Sequence, residues 1–241
     1  MGKSVMELAK AFFRREDELN IVEHQQEVYS LRTMVKELLT LSDNDWIRYA
    51  FSREPIEGKI SFEDKLHFGY LASVCGKDEA GLMGRDIEKS ISALGLTVKT
   101  PDLPNGGANV TFAQYEEDGT ITIFMDTVKK AQPVLNELED LLGSVDIFKV
   151  LLMHEMFHAV EQKKADIIYT QTKKIELWVK PFSNLSKIGC LSEIAAMSFA
   201  GSMLDLPYNP YIFDVILMYL YNQEAASMLF DEIMDIKKEI A

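Results

Sequence analysis

The sequence predicts an α+β fold: a small, mostly antiparallel sheet built on a β-hairpin and packed against two buried helices, with extra helices at both ends. Three observations carry this expectation. Val110–Tyr115 and Thr120–Met125 are rich in β-branched and aromatic residues and flank the turn signal Glu117-Asp-Gly-Thr120. Two helical stretches, Val145–Lys163 and Leu191–Leu204, are apolar on most sides and belong in an interior. Segments before Leu41 and after Tyr211 repeat apolar residues at helical spacing.

Taken in order, Ser4 to Leu41 reads as helical. Met6, Leu8, Ala9, Phe12 and Phe13 form one apolar face, and Ile21, His24, Val28, Leu31, Val35 and Leu38 follow a heptad-like spacing. That seam is expected to pack on the rest of the protein; the sharper expectation is an oligomer or partner interface through these N-terminal helices. Ser42-Asp-Asn-Asp45 starts a helix over Trp46–Phe51, and Ser61-Phe-Glu-Asp64 caps another running to about Val74. Gly76 to Gly81 reads as a connection, which suggests an N-terminal helical region over 1–80 and a second domain over 81–241. Arg85–Leu94 is a helix closed by Gly95, followed by a short strand at Leu96–Val98 and a Pro- and Gly-rich loop from Pro101 to Asn109. After the hairpin, Val128–Leu142 is helical. Ile167–Tyr169 and Ile175–Val179 look strand-like, Pro181–Ser186 is a loop, and Tyr211–Ile240 forms one long or two shorter closing helices.

The chain has 241 residues, 47% of them hydrophobic and 26% charged, which suffices for a substantial core. A net charge of -13 argues against nucleic acid and anionic membrane surfaces as partners, since both require a basic footprint. Cys75 and Cys190 stand far apart and make no disulfide framework. Met1–Lys10 lacks the apolar core of a signal peptide, and no apolar run is long enough to span a membrane. The expected location is therefore cytoplasmic.

The most informative stretch is Val150-Leu-Leu-Met-His154-Glu155-Met-Phe-His158-Ala-Val160. Helical residues advance about 100° each, so His154 and His158 share a face with Glu155 beside them. Two imidazoles on one face can hold a divalent ion, usually zinc, and the adjacent carboxylate can act as general base. The competing interpretation is a core helix with two hydrogen-bonded histidines.

Catalytic zinc usually has three protein ligands and an open position. No histidine follows His158, so the arrangement with a third histidine six residues beyond the second is excluded. Its aspartate variant is excluded too, because Lys164 stands at that position and Glu161 replaces the required glycine. The third ligand must be a downstream carboxylate, Cys190, or a group from the N-terminal half. Glu193 is the choice: a lone glutamate in the apolar run Leu191-Ser-Glu-Ile-Ala-Ala-Met-Ser-Phe-Ala-Gly201 needs a partner. The bland alternative is a buried salt bridge, for instance to Lys187. Small Ala196 and Ala200 would let this helix approach the motif helix closely.

His154-Glu-x-x-His158 followed by Glu193, Ala196, Phe199 and Ala200 and the stop Leu206-Pro207 resembles the gluzincin-type metallopeptidases, most of all the ImmA/IrrE group. The resemblance covers roughly residues 85–207. Met156-Phe157 departs from that group's common Leu-Gly pair, and residues 1–80 have no counterpart in it. It implies a zincin-like fold and zinc-dependent cleavage of a peptide or regulatory protein. In that scheme zinc is held by His154, His158 and Glu193, with Glu155 as the catalytic base. A donor to the developing oxyanion is expected; Tyr169, Tyr208 and Tyr211 lie near the right segments, but each reads equally as a packed tyrosine and none is singled out. Substrate-binding residues are not identifiable from the sequence. The rival class is a non-catalytic interaction protein on the same fold, working through its helical surface.

Overall fold

The computed structural model describes residues 28–102, 111–177 and 184–238. It is α+β, with the helices starting where the sequence supplies side-chain caps. Helix α1 (Leu31–Leu38) begins at Ser30, whose hydroxyl accepts from the Thr33 amide. Helix α2 (Asp43–Ser52) begins with a reciprocal capping box between Ser42 and Asp45. Helix α3 (Phe62–Met83) is capped by Ser61, and α4 (Ile87–Leu94) by Asp86. Gly95 ends α4 in the left-handed conformation, φ 64°.

Strands β1 (Thr97–Lys99), β2 (Ala113–Tyr115) and β3 (Thr120–Ile123) form a sheet in the order β1-β3-β2. The expected hairpin is present: β2 and β3 pair antiparallel with Gln114 opposite Thr122. Asp118 accepts from the Thr120 amide at 2.8 Å and Gly119 takes φ 88°, which closes the turn. The sheet is mixed rather than mostly antiparallel, because β1 joins the other edge of β3 in parallel. The hairpin partner already occupies one side of β3, and the long connection after β1 gives the chain room to return in the same direction.

The chain then forms α5 (Met125–Glu137), α6 (Glu139–Leu142), α7 (Ile147–Lys163) and the short α8 (Tyr169–Thr172). A two-stranded antiparallel ribbon, β4 (Lys174–Glu176) with β5 (Leu185–Lys187), leads to α9 (Cys190–Met203). Helices α10 (Ile212–Tyr219) and α11 (Gln223–Lys238) follow. Among the described helices, none is long and apolar enough to cross a membrane.

Several expectations are corrected. Gly76–Gly81 is not a connection; α3 runs through it. Gly76 is required by packing, since a Cβ there would lie 2.1 Å from the Ala195 carbonyl oxygen. Ile167–Tyr169 is a turn entering α8 rather than a strand: the Ile168 and Lys173 amides bond back to Lys164 and Tyr169, as in helical turns. Leu185 and Ser186, assigned to a loop, pair with β4. The single helix expected over Val128–Leu142 divides at Leu138. Residues 4–27 of the predicted N-terminal helices, including His24, and Val110 of the predicted strand lie outside the described residues.

Helix α7 is buried on nearly every side, between the β2–β3 hairpin and α9; α9 in turn packs most extensively on α3. Leu31, Val35 and Leu38 of the heptad-like seam point into this same core. Residues from the predicted 1–80 and 81–241 regions thus share one buried cluster.

Candidate metal centre

Helix α7 is capped by Asp146, whose side chain accepts from the Lys149 amide. Two turns later it presents His154 and His158 to α9. His154 Nε2 and His158 Nε2 lie 3.2 Å apart. Glu193, in the first turn of α9, places Oε2 3.3 Å from His154 Nε2 and Oε1 3.8 Å from His158 Nε2. Ligand atoms held about 2.0–2.2 Å from one tetrahedral ion stand roughly 3.3–3.5 Å from each other. The observed spacings bracket that range. Among the described residues this is the one His/Cys/Asp/Glu group compact enough to hold a metal ion, with ligand atoms all within 4.8 Å.

The polar bookkeeping fits a cation as well. Both Glu193 carboxylate oxygens are buried and lack a hydrogen-bond partner. An orphaned carboxylate in an apolar enclosure costs several kcal/mol unless something neutralises it. Lys187, the salt-bridge partner considered for Glu193, instead donates to Gln171. Cys190 is no member of the cluster; its amide donates to Glu54 Oε2 at 2.9 Å. Glu54 thereby caps the start of α9, which has no side-chain cap of its own. His67 is exposed on α3 and takes no part.

His158 is braced from behind. Ser192 Oγ lies 3.3 Å from His158 Nδ1 and donates to Glu161 Oε2 at 2.8 Å. Thr170 donates to the other Glu161 oxygen. Because Ser192 gives its proton to Glu161, its lone pairs face the imidazole. The neutral ring is then protonated at Nδ1, with the Nε2 lone pair directed at the cluster. Burial alone would lower the His158 pKa, but Glu161, Glu193 and Glu155 overcome it and raise it to about 9. Burial pushes the Glu161 carboxyl up, yet its bonds to His158, Thr170 and Gln171 hold it down to about 2. Glu161 therefore serves His158 and is not a member of the compact group.

Glu155 is buried, and its Oε2 has no partner. Burial raises its pKa, while the nearby His154 and His158 and, least, the Tyr115 backbone amide oppose this. The end of β2 packs against the motif helix. Tyr115 and Glu117 are fastened to α7 by Gln162. On β2, Phe112 and Glu116 bond to the β3 side, so the backbone groups of Ala113 and Tyr115 point to the opposite edge.

Of the three candidate tyrosines, Tyr208 is spent on the Leu142 carbonyl at 3.0 Å. Tyr169 has a partnerless hydroxyl, but its electrostatic neighbour is Cys75. Tyr211 is buried, also partnerless, and its phenol is raised far above its ordinary value by burial and then by Glu193 and Asp214. Trp46 stacks on its ring at 6.0 Å. The sequence pointed to neither Ser192, Thr170, Glu54 nor Asp214 as site neighbours. Asp214 alone carried a signal: like Glu193, it is a solitary carboxylate in an apolar run, Ile212-Phe-Asp-Val-Ile-Leu-Met-Tyr219.

Compared with family models, curated proteins and solved structures, the chain has no match in any of them.

Proposed function

We propose that this protein is a zinc-dependent endopeptidase of zincin-like fold, with His154, His158 and Glu193 as metal ligands and Glu155 as general base. The observation that carries the reading is the convergence of two Nε2 atoms and an unpartnered carboxylate at ligand spacing. The donor set of two imidazoles and one carboxylate suits zinc and leaves a fourth position for water or substrate. When bound, such an ion lowers the pKa of water to about 7 and polarises a carbonyl oxygen.

The chain's own residues supply the remainder. Glu155 accepts the proton of the attacking water on Oε2, the oxygen with no other partner, and returns it to the leaving amine. The Tyr115 backbone amide favours the ionised form of this carboxylate. β2 is the outer strand of its sheet, and an extended peptide adding to the site would pair along it as a further strand. Tyr211, buried with an unpartnered hydroxyl that feels the Glu193 charge, is the hydroxyl suited to donate to the developing oxyanion. The substrate is accordingly a peptide or protein segment in extended form.

Metal analysis of the purified chain should give about one zinc, and Glu155→Gln should retain it while losing hydrolysis of an unfolded protein substrate. A parent that neither purifies with zinc nor gains it on addition would overturn the assignment. A Glu155→Gln protein with undiminished biological function would favour the non-catalytic alternative.

A further inference from the structure

The two imidazoles are supported unequally. His158 has Ser192 and Glu161 behind it, whereas His154 Nδ1 is buried and has no hydrogen-bond partner. Metal-binding histidines almost always donate their second ring N–H to a carboxylate, a carbonyl or water. Beside His154 lies a small cavity of about 30 Å³ whose wall includes His154, Glu155 and Asp214 among apolar side chains such as Phe213 and Leu217. That volume accommodates a single water.

Asp214 is well held for a role there. It is buried on α10, and its Oδ2 accepts from the hydroxyl of the fully buried Tyr49 at 3.0 Å. The Arg53 guanidinium lies 4.9 Å from the centre of the Tyr49 ring and pairs with Glu232 at 3.2 Å. A simpler explanation makes Asp214 only the acceptor for Tyr49, or a counter-ion for Arg53. Tyr49 engages one of its two oxygens, however, and Arg53 makes its ion pair with Glu232 instead. Neither role explains why a carboxylate lines the same cavity as the unpartnered histidine.

We propose that Asp214 is the positioning residue for His154, accepting through one water in this cavity the hydrogen bond of the His154 Nδ1–H. Asp214 thereby orients the His154 ring with Nε2 aimed at the cluster, as Ser192 and Glu161 do for His158. Tyr49 fixes the carboxylate, so a helix from the N-terminal part of the chain contributes to metal affinity. This inference rests on the metal-site assignment above.

The test is zinc affinity of the full chain, measured by competition with a chromophoric chelator, alongside the Tm of each metal-free protein. Removal of such a supporting carboxylate typically weakens metal binding about 10–100-fold. That loss is expected for Asp214→Asn, with metal-free Tm close to the parent's. Tyr49→Phe, which keeps the ring and removes the donor, is expected to weaken zinc several-fold and decides the matter if Asp214→Asn does not fold. Parental affinity in the folded variants overturns the role of Asp214 while leaving the metal site standing. Affinity that falls only in step with metal-free Tm overturns it as well, in favour of a structural role. A parent that binds no zinc overturns both.

Discussion

Glu193 Oε2 lies 3.3 Å from His154 Nε2, although a short helix and a β-ribbon separate the two residues along the chain. The contact exists because α9 starts beside α7, with its first turn held by Glu54 and its flank seated on Gly76 of α3. Removing the carboxylate should therefore break the centre without unfolding it. Glu193→Ala is expected to fall from about one zinc per chain to a small fraction, measured by elemental analysis. Zinc at about 100-fold over its Kd stabilises a protein by roughly 2.7 kcal/mol, or about 5–10 °C in Tm for a chain of this size. The parent should show that shift and Glu193→Ala should not.

Tyr211 and Glu155 separate by their kinetic signatures. Glu155→Gln removes proton transfer and should cost about 10²–10⁴ in kcat. Tyr211→Phe removes a donor that matters only as negative charge develops, so kcat should fall about 10²–10³-fold with KM little changed. Zinc content should stay at the parental level in both. A Tyr211→Phe variant with parental kcat would return that residue to the aromatic cluster of Trp46 and Tyr49 as a packing element.

The pH dependence follows from His158 and Glu161. With His158 raised to about 9 from an unfolded value of 6.5, its contribution to metal-free stability is complete below about pH 6.5 and is lost as pH rises through 9. With Glu161 lowered to about 2 from 4.5, its contribution is present above about pH 4.5 and is lost as pH falls through 2. The metal-free protein should accordingly owe most to this pair between about pH 4.5 and 6.5. Zinc must displace the second proton of His158. Its uptake should release a proton, and affinity should climb about tenfold per pH unit up to roughly pH 9. Proton release read with an indicator dye, and Kd at several pH values, check this; a flat profile would contradict it.

The parts of the site legible in the sequence were those written as local periodicity or as chemical incongruity. His154, Glu155 and His158 share a helical face by spacing alone, and Glu193 stood out as a charge in an apolar run. Asp214 obeyed the same rule, but nothing in the sequence tied it to the histidines. The bracing of His158 was invisible for another reason: Ser192 and Thr170 are small hydroxyl residues of kinds found anywhere, and their role depends on α8 and α9 meeting across α7. The mixed sheet was hidden because strand direction depends on the path after β1 rather than on strand composition. Gly76 is ambiguous in sequence because glycine signals both a break and a close helix crossing, and only the Ala195 carbonyl oxygen, 2.1 Å from where a Cβ would lie, distinguishes them.

The α3–α9 crossing can itself be tested. A Cβ at position 76 would meet the Ala195 carbonyl oxygen at 2.1 Å and the Phe199 amide nitrogen at 3.0 Å, both backbone atoms that no rotamer change can move. Gly76→Val must push α3 and α9 apart. Overpacking of this kind costs about 1–3 kcal/mol, or a Tm lower by roughly 2–4 °C per kcal/mol. Glu193 rides on the displaced helix, two residues before Ala195. The variant should therefore lose zinc affinity beyond what its Tm alone implies. Gly81 lies five residues further along α3, and a Cβ there would meet nothing within 4 Å. Gly81→Ala should leave zinc binding intact and raise helix stability slightly. Equal effects of the two substitutions on zinc affinity would show that the α3–α9 crossing does not position Glu193.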